Sequence, residues 1–154
     1  MRNRNDAPPL SSDEHAVASE RHARAAGELC PTSSDWAAVA YFYAAYHLVK
    51  QAILDDPIWL CPSLLAAKHP ELQPSVSKVT RHSGGRQRRR RGRTWGVNEL
   101  VELLYPSIYQ SYLLMHQASI EVRYQRGLRT PVRASAAHWA KIRAEFRAGR
   151  MRAS

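Results

Sequence analysis

The residues best suited to chemistry in this sequence are arginine and histidine, and Arg133 precedes His138 by five positions. A histidine titrates near neutral pH, so it can accept the proton of a ribose 2′-hydroxyl or protonate a leaving oxygen. An arginine can stabilise the charge that develops on phosphorus. The pair therefore predicts RNA cleavage without a metal ion. The alternative is a surface arginine and a partly buried histidine beside Trp139.

The helical spacing of Arg133 and His138 limits what one copy of the chain can do. Five positions along an α-helix turn two side chains about 140° apart. Arg133 and His138 of one protomer therefore form a poor catalytic pair, and a second protomer in a homodimer would have to supply the complementary residue. His82 and Arg86 form another arginine–histidine pair, but they fall in a predicted loop that would position them less well.

Four further histidines lie on predicted helices. His47 and His116 each belong to an apolar stripe, where they line a shared pocket or, more commonly, act as hydrogen-bonded core residues. His15 and His22 are seven residues apart on the first predicted helix. Two such ligands without a nearby carboxylate are weak evidence for a metal site. The sequence predicts neither a metal nor a cofactor.

Positive charge is concentrated in one stretch that contains no acidic residue. The formal net charge is +10, and the stretch holds Arg81, Arg86, Arg88, Arg89, Arg90, Arg91 and Arg93. A guanidinium group matches phosphate oxygens two at a time, and each such contact releases a counter-ion. The stretch therefore predicts binding to RNA or another polyanion. The alternatives are a targeting or partner-docking segment and a solvated loop without a ligand.

Three features bear on the cellular compartment. The first residues are not followed by the apolar run of a signal peptide, and no stretch is apolar and long enough to cross a bilayer. The two cysteines, Cys30 and Cys61, are too few for a disulfide scaffold. We therefore expect a cytoplasmic protein with reduced thiols and no membrane association.

Caps at Ser11, Asp35 and Asn98, prolines and apolar periodicity predict the elements that position these residues. In the second helix Phe42, Val49 and Ile53 belong to one apolar stripe and Trp36 to a neighbouring one, so these side chains are expected to face the core. Helices are expected over about 11–29, 36–54, 98–105, 106–125 and 131–148, with a further short one between 63 and 68. No segment alternates with the period of a strand. The fold class is thus all-α, an up-and-down bundle of four to five helices with a long arginine-rich loop. Residues 1–10 are expected to be a disordered lead, 11–148 the bundle, about 77–94 a flexible basic loop and 149–154 a frayed tail.

Two of these helices carry a family resemblance. The stretch Asp35-Trp36-Ala37-Ala38-Val39-Ala40-Tyr41-Phe42-Tyr43-Ala44-Ala45-Tyr46-His47, followed later by Ser119-Ile120-Glu121-Val122-Arg123-Tyr124, resembles small bacterial members of the HEPN superfamily. The resemblance implies a helical bundle that often dimerises. Active HEPN ribonucleases use an Arg-x4-6-His motif at a site that two protomers form without metal, and this motif corresponds here to Arg133 and His138. Ala134 follows the arginine, where the family usually has a polar residue.

The leading hypothesis is a HEPN-like domain that binds RNA. In the catalytic version of this hypothesis, the domain cleaves RNA as a metal-independent ribonuclease of toxin or defence type. The main rival is a non-catalytic helical module that docks on a protein or nucleoprotein partner through its basic surface. A DNA-binding accessory protein is disfavoured because no helix-turn-helix pattern is evident.

Overall fold

The computed structural model describes residues 8–84 and 94–153, and within these ranges the chain is helical and contains no strand. Six α-helices are described: α1 Ser12–Leu29, α2 Trp36–Asp55, α3 Pro62–Lys68, α4 Val97–Leu104, α5 Pro106–Tyr124 and α6 Val132–Arg147. Short 3-10 helices span Cys30–Thr32, Pro57–Leu60 and Pro74–Lys78. The prediction of an all-α fold is confirmed. The described helices number six rather than four to five because the short segment between 63 and 68 does form a helix.

Local sequence signals explain where several helices begin and end. The side chain of Ser11 accepts a hydrogen bond from the Glu14 amide at 3.3 Å, and the Glu14 carboxylate accepts one from the Ser11 amide at 2.7 Å. This reciprocal cap satisfies two amides at the start of α1. Pro106 is the first residue of α5, where its missing N–H costs nothing. The backbone of Gly127, just beyond α5, is left-handed with φ 105°.

Two predicted helix caps differ from the structure. Asn98 does not cap α4, because the helix already begins at Val97 and the Glu99 carboxylate accepts the hydrogen bond of the Gly96 amide at 2.9 Å. The Asp35 side chain does not cap α2 and instead accepts a hydrogen bond from the Leu128 amide at 3.2 Å. In both cases the polar side chain forms a hydrogen bond with a residue that is distant in sequence instead of with the amides at the start of its own helix.

Helix α2 lies at the centre of the described structure and packs against α1, α5 and α6. Its Phe42, Val49 and Ile53 are fully buried, as the broad apolar stripe predicted. Trp36 was predicted to face inward but is 57% exposed. It lies at the first position of α2, beyond the part of the helix that its neighbours cover. The core is completed by apolar residues of α4, α5 and α6, including Leu100, Ile108, Met115 and Ile142.

Candidate functional site

Five histidines from four separate parts of the chain converge at α2. We call this group, together with Tyr43 and Tyr46 of α2, the histidine–tyrosine cluster. Helix α1 contributes two of the histidines, α2 and α5 contribute one each, and the last belongs to the segment that follows the Pro74–Lys78 helix: His15, His22, His47, His116 and His82.

The contact between α1 and α2 forms one half of the cluster. Nδ1 of His15 lies 2.8 Å from Nδ1 of His47, which is a hydrogen-bonding distance. The ring of His22 is stacked on that of His47, with centroids 5.5 Å apart and an angle of 8° between the planes. Seven residues are close to two helical turns, so His15 and His22 lie on the same side of α1. Both therefore face His47.

The other half of the cluster lies between α2 and α5. The ring of His116 is stacked on Phe42 at a centroid distance of 4.9 Å. His82 lies 5.2 Å from His116 and 4.9 Å from Tyr46, measured between ring centroids. The Asn98 amide nitrogen donates to Nδ1 of His116 at 3.0 Å, so a neutral His116 carries its proton on Nε2.

Arg123 brings a cation to the edge of this cluster. Its NH1 donates a hydrogen bond to the Tyr43 hydroxyl at 3.1 Å, and its Nε donates to the Ser119 carbonyl at 3.2 Å. The guanidinium carbon also lies 5.0 Å from the ring centroid of Tyr124, a side chain that is 74% exposed. Within the described ranges no carboxylate forms an ion pair with Arg123. Its charge is therefore available to an anion.

Several buried polar atoms near the cluster have no hydrogen-bond partner among the described residues. They include the hydroxyl of Tyr112, the Oγ of Ser119 and Nδ1 of His82. Tyr112 and Ser119 lie on the same face of α5 as His116 and Arg123, because positions 112, 116, 119 and 123 follow helical spacing. A buried polar group without a partner is energetically costly and is often a sign of a functional site.

The surroundings keep the histidines of the cluster neutral at pH 7. Burial, and then the neighbouring His15 and His22, lower the pKa of His47 to about 4. Burial, followed by His82 and Arg123, lowers the pKa of His116 to about 4. Burial also lowers the pKa values of His15, His22 and His82 below the usual value. Neutral imidazoles are proton acceptors, so the cluster provides bases beside a permanent cation.

The two described ends of the arginine-rich stretch are joined next to the cluster. One carboxylate oxygen of Glu99 accepts hydrogen bonds from the amides of both Gly84 and Gly96, each at 2.9 Å. A Cβ added to Gly84 would overlap the carbonyl oxygen of Thr94, so the close approach requires glycine. The backbone N–H of Asn98 donates to the His82 carbonyl at 2.8 Å. We call this junction of residues 81–84 with 94–98 the loop neck.

The predicted catalytic pair is not brought together within this chain. Arg133 is exposed on α6, whereas His138 is partly buried, with Nδ1 3.3 Å from the Ser111 hydroxyl. Among the described residues no hydrogen bond joins Arg133 to His138. Their separation is what the helical spacing predicted for one copy of the chain, and a site that two protomers form with these residues stays a prediction.

The predicted polyanion-binding arginines fall in two groups. Arg81 is described, and its Nε donates to the Trp95 carbonyl at 2.7 Å within the loop neck. The other six lie outside the described residues: Arg86, Arg88, Arg89, Arg90, Arg91 and Arg93. The suggested His82–Arg86 pair is therefore described only at His82, which belongs to the histidine–tyrosine cluster.

Sequence reasoning did not identify the cluster as a site. The two stretches that carry the family resemblance meet there, because Arg123 of the second stretch donates a hydrogen bond to the Tyr43 hydroxyl of the first. The helical spacing within each stretch was the available signal. The described part of the chain contains no group of three or more histidine, cysteine or acidic residues able to hold a metal ion.

No protein-family model matches this chain, and neither a curated protein nor a solved structure matches it. The function of the cluster must therefore be inferred from its chemistry. None of the helices in the described ranges is long and apolar enough to span a membrane.

Proposed function

We propose that this protein is a HEPN-like domain that binds RNA with Arg123 and cleaves it at the histidine–tyrosine cluster without a metal ion. The observation that carries the proposal is the position of Arg123. The Arg123 guanidinium is a cation without a carboxylate partner among the described residues. It donates a hydrogen bond to the Tyr43 hydroxyl and lies beside neutral histidines. Cleavage of a phosphodiester next to a 2′-hydroxyl needs a base, an acid and a cation.

In this mechanism Arg123 and the Tyr43 hydroxyl bind the non-bridging phosphate oxygens. His82 accepts the proton of the 2′-hydroxyl, and the 2′-oxygen attacks phosphorus as the bond to the 5′-oxygen breaks. His116 acts as the acid in its imidazolium form, which requires the Asn98 side chain to turn its oxygen toward Nδ1; it donates the Nε2 proton to the leaving 5′-oxygen and becomes neutral. The phosphate charge raises the proton affinity of both rings from the low pKa of the free protein. The products are a 2′,3′-cyclic phosphate and a 5′-hydroxyl.

Two exposed aromatic residues, one of them in contact with Arg123, support an RNA ligand. Tyr124 presents its ring to solvent beside the Arg123 guanidinium, and Trp36 is exposed at the start of α2. Exposed aromatic rings stack on unpaired bases, and neighbouring guanidinium groups bind the phosphates. The arginines at positions 86–93 would extend this contact along the strand. Tyr124 and Trp36 therefore favour single-stranded RNA.

An RNA cleavage assay in EDTA tests the proposal and discriminates between the two arginine–histidine sites. We expect 2′,3′-cyclic phosphate ends from the wild type and at least a hundredfold slower cleavage by Arg123→Gln and His82→Gln. The matched variants Arg133→Gln and His138→Gln should retain activity. The opposite pattern, with loss only in the α6 variants, would place catalysis at Arg133 and His138, and a homodimer would then be required.

A non-catalytic docking module is the second candidate function, and exposed apolar residues near α3 favour it. Leu60 is 88% exposed and Leu64 is 43% exposed, an arrangement suited to a protein partner. Folded protein that binds RNA in a salt-dependent manner but does not cleave any RNA sequence tested would overturn the catalytic proposal. It would leave this module as the function.

A further inference from the structure

A pocket of about 280 Å³ lies at the amino end of α1. One wall is apolar and is formed by Pro9, Leu10 and Leu54. Its basic side chains are Lys50, Lys78 and His15, and no acidic residue lines it among the described residues. The pocket thus combines an apolar wall with a cationic end.

Lys50 is the distinctive group of this pocket because it is 1% exposed and carries a charge without a counter-ion. Its Nζ donates to the Ser77 carbonyl at 2.8 Å and to the Val79 carbonyl at 2.7 Å. A protonated amine has three N–H donors, so one remains after these two bonds. No carboxylate pairs with it within the described ranges. A buried charge is costly unless it is paired, and a bound anion would supply that pair.

We propose that this pocket binds a small monocarboxylate with an apolar body. The carboxylate accepts the remaining N–H of Lys50, and the body packs against Leu10 and Leu54. A dry cavity of about 150 Å³ holds a benzene ring. The volume here therefore accommodates a body of roughly six to eight carbon atoms. The pocket shares His15 with the histidine–tyrosine cluster but contains none of the residues to which the proposed RNA chemistry assigns a role: Arg123, Tyr43, His82 and His116.

Amide chemical shifts of the ¹⁵N-labelled full chain, titrated at constant ionic strength, test this proposal. Octanoate should produce saturable shifts at residues around Lys50, Leu54 and Thr80. Octanol lacks the charge, octylamine reverses it and inorganic phosphate lacks the apolar body, so each should bind at least tenfold more weakly. Equal binding of octanol and octanoate would contradict the role of Lys50. Equal binding of phosphate and octanoate would contradict the role of the apolar wall.

Variants separate the two parts of the site. Lys50→Met should weaken octanoate binding at least tenfold, whereas Lys68→Met, which removes an exposed lysine of α3, should leave it unchanged. Unaltered affinity in folded Lys50→Met would overturn the proposal. If Lys50→Met does not fold, Leu54→Trp provides the test, because it fills the pocket and leaves the amine in place. Unaltered binding in Leu54→Trp would also overturn the proposal.

Discussion

Nδ1 of His15 and Nδ1 of His47 are hydrogen-bonded at 2.8 Å, and this contact links α1 to the central helix. One of the two nitrogens must donate and the other must accept, so at least one ring must be neutral. Protonation of both rings removes the acceptor and places two positive charges in contact. A neutral ring in this pair therefore helps to hold α1 against α2.

We expect the protein to lose stability as the pH falls from about 6.5 to about 4. The pKa values of His47 and His116 are about 4 in the folded chain, below the usual value of 6.5. The unfolded chain binds more protons throughout this interval, so acid favours unfolding, and the stability present above pH 6.5 is lost. Urea unfolding followed by circular dichroism at pH 7.5, 6.0 and 5.0 would measure the loss.

Histidine variants identify the source of this acid sensitivity. His47→Gln should reduce the difference in unfolding free energy between pH 7.5 and pH 5.0, because it removes a strongly shifted group. His138→Gln, on α6 and outside the cluster, should leave that difference unchanged. An identical pH dependence in wild type and His47→Gln would show that the cluster does not control acid stability.

Gly84→Ala should destabilise the loop neck. The added methyl group would overlap the carbonyl of Thr94, and the backbone must move to accommodate it. Overpacking of this kind typically costs about 1–3 kcal/mol. The matched control is Gly27→Ala in α1, where nothing lies within 4 Å of the added Cβ. That variant should gain roughly 0.5–1 kcal/mol from helix propensity. Equal melting temperatures for the two variants would contradict the close approach at Gly84.

Glu99→Ala should also open the loop neck, without adding any atoms. One oxygen of this carboxylate accepts both the Gly84 and the Gly96 amides, so its removal leaves two donors unpaired. Loss of such bonds costs about 1–3 kcal/mol. Hydrogen exchange of those two amides should accelerate, while exchange in α1 stays at the wild-type rate. Unchanged protection of both amides would rule out the bridging role.

Replacing Arg88–Arg91 with alanine should weaken RNA binding and its dependence on salt. If all four contact single-stranded RNA, the slope of log K against log salt should decrease by up to about three. The control removes four exposed cations elsewhere in the chain: Arg21, Arg24, Lys68 and Lys141. Its slope should stay close to that of the wild type. Equal decreases in the two variants would mean that net charge alone determines affinity.

Local signals in the sequence predicted the helices but not the site that they build. Ser11 and Pro106 mark helix starts because caps and prolines act on neighbouring residues. Asn98 was misassigned because its amide supports His116, a contact that depends on the packing of α4 against α5. His15 was considered only as a metal ligand, since its distance to His47 follows from how α1 lies on α2.

Contacts between residues that are distant in sequence could not be predicted from spacing, and a site that Arg133 and His138 would form between two protomers stays a prediction. Arg133 and His138 have a suggestive spacing along one helix, but spacing alone does not bring two side chains together. Tyr43 and Arg123 are 80 residues apart and form a hydrogen bond. Only the tertiary fold places a cation beside the histidines in this chain.

The loop neck has a consequence for how the chain can vary. Because the Gly84 and Gly96 amides donate to one carboxylate oxygen, the two ends of the segment between them are held together. The free energy of closing such a segment changes slowly with its length. Insertions, deletions or a transplanted ligand-binding sequence at this point should therefore be tolerated without altering the register of α4. The position is a natural site for diversification between lineages and for engineered grafts.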